Sequence, residues 1–299
     1  MNYTSRIFTA ILFMTTSPML MTAQEKFYIL LDTLDSLYTV THYTLNTMEL
    51  YGVDETVELF NVHAEGLVLF SVLPDFYSES NWTETDNASI QHRLIDGRAF
   101  QRMVAERLVS GNGSDKKSLN FVLVRSMAGK LLKSNVCLTE FFTEENYPNI
   151  FNVPFGTINI GQDTLSIRRM QGIYTTHLSD SGKWVFPLDL NHAHTILPNR
   201  KVLEREYLSR VFVTGGKTAY KFWTFTDWSG QDGYQVRRGI DRFIYIPEQG
   251  IVGGSFDFYF CYQPNWKSVD SARKRHTKTR EELWQNVLAE KVMLPEELK

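Results

Sequence analysis

Cysteine, proline and excess positive charge are all scarce in this sequence. Its 299 residues include two cysteines and nine prolines, and the formal net charge is −3. Two cysteines are too few for a disulfide-rich scaffold, and no cysteine pair has the spacing of a zinc site. The lack of a basic excess argues against nucleic acid as a partner. With 43% hydrophobic and 22% charged residues, the composition is that of a globular protein with one or two domains.

The two cysteines, Cys137 and Cys261, leave two alternatives open. In an exported protein they could form a single disulfide. They could equally remain as two buried free thiols. The sequence alone does not decide between these alternatives.

Long apolar runs are also missing, except near the N-terminus. Arg6 precedes an apolar stretch at residues 7–21, and Ala23 offers a small residue for cleavage. The run is too short, and too interrupted by Thr, Ser and Pro, for a good membrane span. Residues 1–23 are therefore predicted to be a signal peptide, with an uncleaved anchor as the alternative. The mature chain is predicted to be exported, to the periplasm or the extracellular space.

Apolar spacing predicts the organisation of the first half. Spacings of three and four predict a helix over residues 25–61, broken at Gly52. A strand at 67–73, a helix at 97–108 and a strand–turn–strand unit at 119–132 follow. Residues 24–150 are therefore predicted to be an N-terminal helix plus a first α/β module or insertion.

Aromatic and β-branched runs separated by turns dominate the second half. They predict a strand–turn–strand unit at 172–188, a short helix at 202–210 and an antiparallel meander at 211–262. Residues 215–218 imitate the end of a phosphate-binding loop, but Val211 stands where that pattern needs glycine, so a hairpin turn is predicted. Residues 151–266 are predicted to be an antiparallel sheet module. Residues 267–299 are predicted to be a polar tail with a helix near 281–292.

The meander combines aromatic rings with charges of both signs. A small amphipathic ligand needs rings for its apolar part, Arg for a carboxylate and Asp for an amine. The alternative is an ordinary core with a solvated rim. The residues predicted to bind a ligand are Tyr220, Trp223, Asp227, Tyr234, Arg237, Asp241 and Tyr245.

His192 and His194 form the sharpest metal-like pattern. Two residues apart on a strand, both imidazoles would point to one face and could bind one ion. No third ligand stands at a fixed spacing, and a polar turn explains the pair equally simply. No cofactor is predicted.

Three segments together resemble the Cache family of extracellular sensor domains. Residues 48–61 resemble its helix, Gly break and acidic-aromatic helix ending in Phe60-Asn61. Residues 172–198 are similar to its strands around an Asp180-Ser-Gly182 turn. Residues 220–254 resemble its Tyr-X-Trp strand and its closing strand with a small-residue patch.

The resemblance implies an α+β fold, with a long N-terminal helix packed on PAS-like antiparallel sheets. It also implies non-catalytic binding of a small organic ligand, such as a carboxylate or an amino acid. The protein would present that ligand to a membrane receptor or sensor partner. Two alternatives remain: a secreted hydrolase that binds a metal through His192 and His194, and a protein-interaction module without a small ligand.

Overall fold

The computed structural model describes residues 26–110, 116–148, 155–177, 205–225, 239–261 and 275–298. Within these ranges the chain forms fourteen β-strands and seven α-helices. Most strand pairs are antiparallel, which confirms the predicted α+β class. No helix of these ranges is long and apolar enough to cross a membrane.

A middle sheet carries the core of the fold on both of its faces. Its strands are β2 (Thr39–Asn46), β3 (Thr56–His63), β4 (Leu67–Val72), β6 (Lys117–Ser118), β9 (Cys137–Glu145) and β10 (Thr157–Asn159). They lie in the order β10–β9–β4–β3–β2, and β6 also pairs with β9. Successive side chains on a strand point to opposite faces, so Phe60 and Phe70 pack against one outer layer while Leu59 and Leu69 pack against the other.

The first outer sheet covers the Phe60 face. Its strands are β1 (Phe27–Leu30), β5 (Trp82–Thr85), β7 (Phe121–Met127) and β8 (Lys130–Ser134), in the order β1–β7–β8–β5. Helices α1 (Leu31–Leu37) and α4 (Gly97–Val109) complete this layer through Leu34, Phe100 and Val104. Asp86 caps the short helix α3 (Asn87–Ile90) nearby.

The second outer sheet covers the Leu59 face and is a simple meander. Its strands are β11 (Arg205–Thr214), β12 (Lys217–Phe225), β13 (Arg242–Ile246) and β14 (Gly250–Ser255), paired in chain order. Its inner face packs on the middle sheet. Helices α5 (Ile167–His177) and α7 (Arg280–Leu288) contribute to a smaller core on its outer face. Helices α2 (Met48–Tyr51) and α6 (Asp257–Cys261) contribute Tyr51 and Phe260 to the inner core.

The predicted long N-terminal helix is wrong. The chain instead forms β1, α1, β2, α2 and β3 in succession. Residues 39–46 contain four β-branched side chains, which favour a strand, and all eight pair in register with β3. The apolar spacing of three and four was therefore a poor guide, because tertiary pairing decides the conformation here. The Gly52 prediction is confirmed, since Gly52 ends α2 with φ 73°.

Three shorter predictions are also wrong, and their helix or strand type is reversed. Residues 172–177 belong to helix α5, residues 205–210 belong to strand β11, and residues 257–261 form helix α6. The strands at 67–73 and 119–132, the helices at 97–108 and 281–292, and the meander are confirmed within a few residues. Gly215 and Gly216 form the predicted hairpin turn, with φ 56° and 74°.

Both cysteines are free thiols, so the disulfide alternative is wrong. Cys137 packs in the core between the middle sheet and the first outer sheet. Cys261 packs against the core on the other face of the middle sheet. The middle sheet separates the two side chains, so no bond joins them.

Candidate functional site

The structure separates the residues predicted to bind a ligand. Asp227, Tyr234 and Arg237 lie outside the described residues, as do His192 and His194. Tyr220 and Trp223 lie on β12, Tyr245 lies on β13, and Asp241 immediately precedes β13.

Trp223 belongs to a core and not to a pocket wall. It is 1% exposed, and its ring stacks on Tyr207 with 5.0 Å between the centroids. Its indole Nε1 donates to the carbonyl of Leu165 at 2.7 Å. Trp223 therefore fixes the segment before α5 to the outer face of the meander, opposite the face that carries Tyr220.

Asp241 is also a buried residue with a structural role. It is 2% exposed, and its Oδ2 accepts a hydrogen bond from the backbone N–H of Phe258 at 3.1 Å. This bond holds the start of α6. At this degree of burial the carboxylate is not open to a ligand at the surface.

Tyr220 and Tyr245 do come together, at the open end of the interface between the meander and the middle sheet. They are direct neighbours in the β12–β13 register, and Val211 lies beside Tyr220 on β11. The Tyr245 hydroxyl donates a hydrogen bond to the carboxylate of Glu144, an exposed residue of β9. Tyr220 is half-buried, and Val211 is 46% exposed.

His63, at the end of β3, is an imidazole that interacts electrostatically with Glu144. Its Nε2 is buried and has no hydrogen-bond partner among the described residues. Burial lowers the pKa of His63, against the opposing charge of Glu144. Burial therefore favours the neutral form of this ring. Val211, Tyr220, Tyr245, Glu144 and His63 are called the tyrosine cluster below.

The protonation states of the cluster suit recognition of a cation. Burial raises the pKa of Tyr245, and the bond to Glu144 raises it further, so the hydroxyl remains a donor. Glu144 is the exposed acidic side chain of the cluster. Aromatic rings beside a carboxylate form a favourable environment for an amine.

Glu144 is the residue that sequence reasoning missed. It lies four residues after Glu140 on β9, so both side chains point to the same face. Two carboxylates on the face of β9 that also carries Leu138 and Phe142 were the available signal. Only the structure shows that this face meets Tyr245.

Glu140 lies deeper in the same interface and joins the two sheets. It is 2% exposed, and its Oε2 accepts a hydrogen bond from the backbone N–H of Ile240 at 3.0 Å. Glu206 of β11 reaches across the interface in the opposite direction. Its Oε2 accepts hydrogen bonds from the N–H groups of Gly156 and Thr157 at 2.9 and 3.1 Å. Each of the two sheets therefore contributes one carboxylate that accepts hydrogen bonds from backbone N–H groups on the other side of the interface.

Burial dominates the electrostatics of this carboxylate pair. It raises the pKa of Glu140 to about 7, although Lys117 and the Ile240 N–H act in the opposite direction. Burial also raises the pKa of Glu206, again against Lys117. Lys117 is 5% exposed and lies opposite Glu140 in the β6–β9 register. The pair can hold a proton near neutral pH, but its contacts tie the layers together rather than face solvent.

Buried charges elsewhere in the meander also hold structure. The guanidinium of Arg242 binds the carboxylate of Asp257 with both terminal nitrogens, and Tyr51 donates to the same carboxylate at 3.1 Å. These bonds join β13, α6 and α2. Across the described ranges, no group of three His, Cys, Asp or Glu side chains could hold a metal ion.

The tyrosine cluster is thus the candidate site, with an exposed carboxylate and an exposed valine beside a half-buried tyrosine ring. No protein-family model, curated protein or solved structure matches this chain.

Proposed function

We propose that this protein binds a small organic molecule through a protonated amine, such as the amino group of an amino acid, at the tyrosine cluster. The observation that carries the proposal is the exposed Glu144 carboxylate, held by Tyr245 beside the half-buried Tyr220 ring. Binding is non-catalytic in this proposal. The ligand class agrees with the amino acid suggested by the resemblance to Cache sensor domains.

Each part of such a ligand has a matching group in the cluster. The ammonium would donate to Glu144 and lie against the ring of Tyr220. An apolar side chain would cover Val211, which is 46% exposed. Arg237, outside those residues, is the candidate for a ligand carboxylate.

Export and a membrane partner complete the proposal. The predicted signal peptide at residues 1–23 would deliver the protein to the periplasm or the extracellular space. Ligand binding at the tyrosine cluster would then favour one conformation that a receptor or sensor partner recognises.

A thermal-shift screen with three matched ligand sets tests the proposal. Free amino acids and their amides keep the amine, whereas N-acetyl amino acids keep only the carboxylate. We expect the first two sets to raise the melting temperature and the third to have no effect, because stabilisation follows ligand affinity. Glu144→Gln should weaken binding by at least ~10-fold, since it removes a charge-assisted hydrogen bond.

Glu106→Gln is the matched control for this experiment. Glu106 is an exposed residue of α4 in the first outer layer, so its substitution should leave binding unchanged. Equal binding of N-acetyl and free amino acids would contradict recognition through the amine. A screen in which no compound stabilises the protein would favour the interaction-module alternative.

The hydrolase alternative has a separate test. If His192 and His194 hold a catalytic ion, elemental analysis of the purified protein will find a stoichiometric metal that His192→Ala removes. That outcome would overturn the proposal of non-catalytic binding.

A further inference from the structure

In the part of the chain that the structure describes, the outer half of β11 has an open strand edge. β11 is the first strand of the meander, and among the described residues it pairs only with β12 in its sheet. Its inner half is covered, because the carbonyl of Leu208 accepts a hydrogen bond from the N–H of Leu165 at 2.7 Å. From Ser209 to Thr214 no described backbone group bonds to this edge. An open edge presents N–H and C=O groups that can pair with another strand.

The register identifies which backbone groups point outward. Thr214 and Lys217 flank the two-residue Gly215-Gly216 turn and therefore form a hydrogen-bonded pair. Hydrogen-bonded and non-bonded pairs alternate along an antiparallel ladder. The N–H and C=O groups of Val211 and Val213 consequently point away from β12, towards the open edge.

The same two residues carry the most exposed apolar side chains of the strand. Val211 is 46% exposed and Val213 is 70% exposed. Being two residues apart, they lie on one face, while Phe212 between them lies on the other. Exposed β-branched side chains above outward-pointing backbone groups favour strand pairing.

The segment is complementary to itself. The Val-Phe-Val sequence at residues 211–213 is a palindrome centred on Phe212. In an antiparallel pair with a twofold axis at Phe212, Val211 lies opposite Val213 of the second copy, and the outward groups of both valines are bonded. Arg210 lies opposite the neutral Thr214, so no like charges face each other.

We propose that two copies of this chain associate through β11, antiparallel about Phe212, to form one continuous eight-stranded sheet. The pairing uses residues 210–214, which fit between the covered Leu208 edge and the Gly215-Gly216 turn. Five residues per chain form a small interface, so the dimer is weak and concentration-dependent. A dimer of this kind is isologous, as is usual for twofold pairs.

Sedimentation over a concentration series tests the proposal. We expect the full chain to pass from monomer to dimer as its concentration rises towards ~1 mM. Val213→Lys should weaken the dimer by at least ~10-fold, because it adds a charge to each side of the paired edge. Val109→Lys is the matched control, since Val109 is an 85% exposed valine at the end of α4 in the first outer layer, and it should leave the dimer unchanged.

Two further measurements test the register and the backbone pairing. Val213→Pro removes an outward N–H that the β11–β12 ladder does not use, so it should weaken the dimer while circular dichroism stays unchanged. Mixing Val213→Lys protein with Val211→Glu protein should restore a heterodimer, because these positions face each other. A chain that stays monomeric at ~1 mM, or a dimer that both Val213 variants leave intact, would overturn the proposal.

Discussion

At the scale of single residues, buried ionisable groups distinguish this interior. Glu140 and Glu206 each accept hydrogen bonds from backbone N–H groups beside the opposite sheet, and the charge of Lys117 opposes the rise in the pKa of both. Ionised carboxylates are costly to bury unless their partners compensate fully. Such an arrangement makes the strength of the interface between the two sheets depend on pH.

Glu140 is expected to make the protein less stable as the pH rises towards 8. Its folded-state pKa of about 7 lies above its ordinary value of 4.5. Its contribution to stability is therefore fully present below pH 4.5 and is lost as the pH rises through about 7. The size of this effect is up to ~3 kcal/mol.

Urea unfolding of the wild type and of Glu140→Gln between pH 5 and pH 8 measures this contribution. The glutamine variant mimics the protonated carboxyl, so the wild-type stability should fall relative to it across this range. Glu206 and Asp241, which also raise the pKa of Glu140, are present in both proteins. Parallel stability curves would contradict the expectation.

At the scale of strands and turns, glycine fixes how the meander meets the middle sheet. Gly250 begins β14 with φ 77°, and a Cβ there would lie 2.6 Å from Cγ of Asn61. The Asn61 side chain both accepts from the N–H of Ile251 at 2.7 Å and donates to its carbonyl at 3.0 Å. This pair of bonds joins β3 to β14.

Gly250→Ala should therefore lower the free energy of unfolding by ~3 kcal/mol, from strain at positive φ and from the displaced Asn61 bonds. Gly129→Ala is the control, because Gly129 has φ 75° in the β7–β8 turn and no atom within 4 Å of a Cβ. It should cost only the conformational part, ~1–2 kcal/mol. Equal losses in the two variants, measured by urea unfolding, would show that the Asn61 contact is unimportant.

Local sequence patterns predicted some elements well and others not at all. The meander, β4 and α4 followed from apolar runs and turn residues that agree with the final conformation. The conformation of residues 25–61 was not predicted. Their apolar spacing fits a helix, whereas pairing with neighbouring strands favours β2 and β3. Of the candidate site, the sequence predicted only Tyr220 and Tyr245. Glu144 was missed because its contact with Tyr245 depends on how the meander packs on the middle sheet.

At the scale of the whole molecule, the layered order could not be read from the sequence. β1 pairs in parallel with β7, so Phe27 lies opposite Phe121. β10 likewise pairs in parallel with β9. Pairings between distant residues depend on the complete set of packing faces rather than on any local signal. The predicted domain limits at residues 150 and 266 stay a prediction.

The positions of the two free thiols make them separate reporters of layer opening. Cys137 lies beneath the first outer sheet, and burial raises its pKa to about 11. Cys261 lies on the side of the meander, and burial also raises its pKa. A thiol reacts as the thiolate and only when reagent reaches it. We therefore expect two different labelling rates when each cysteine is labelled in a variant that lacks the other. The faster rate identifies the outer layer that separates first from the middle sheet. Identical rates under native conditions would mean that the sandwich opens as a single unit.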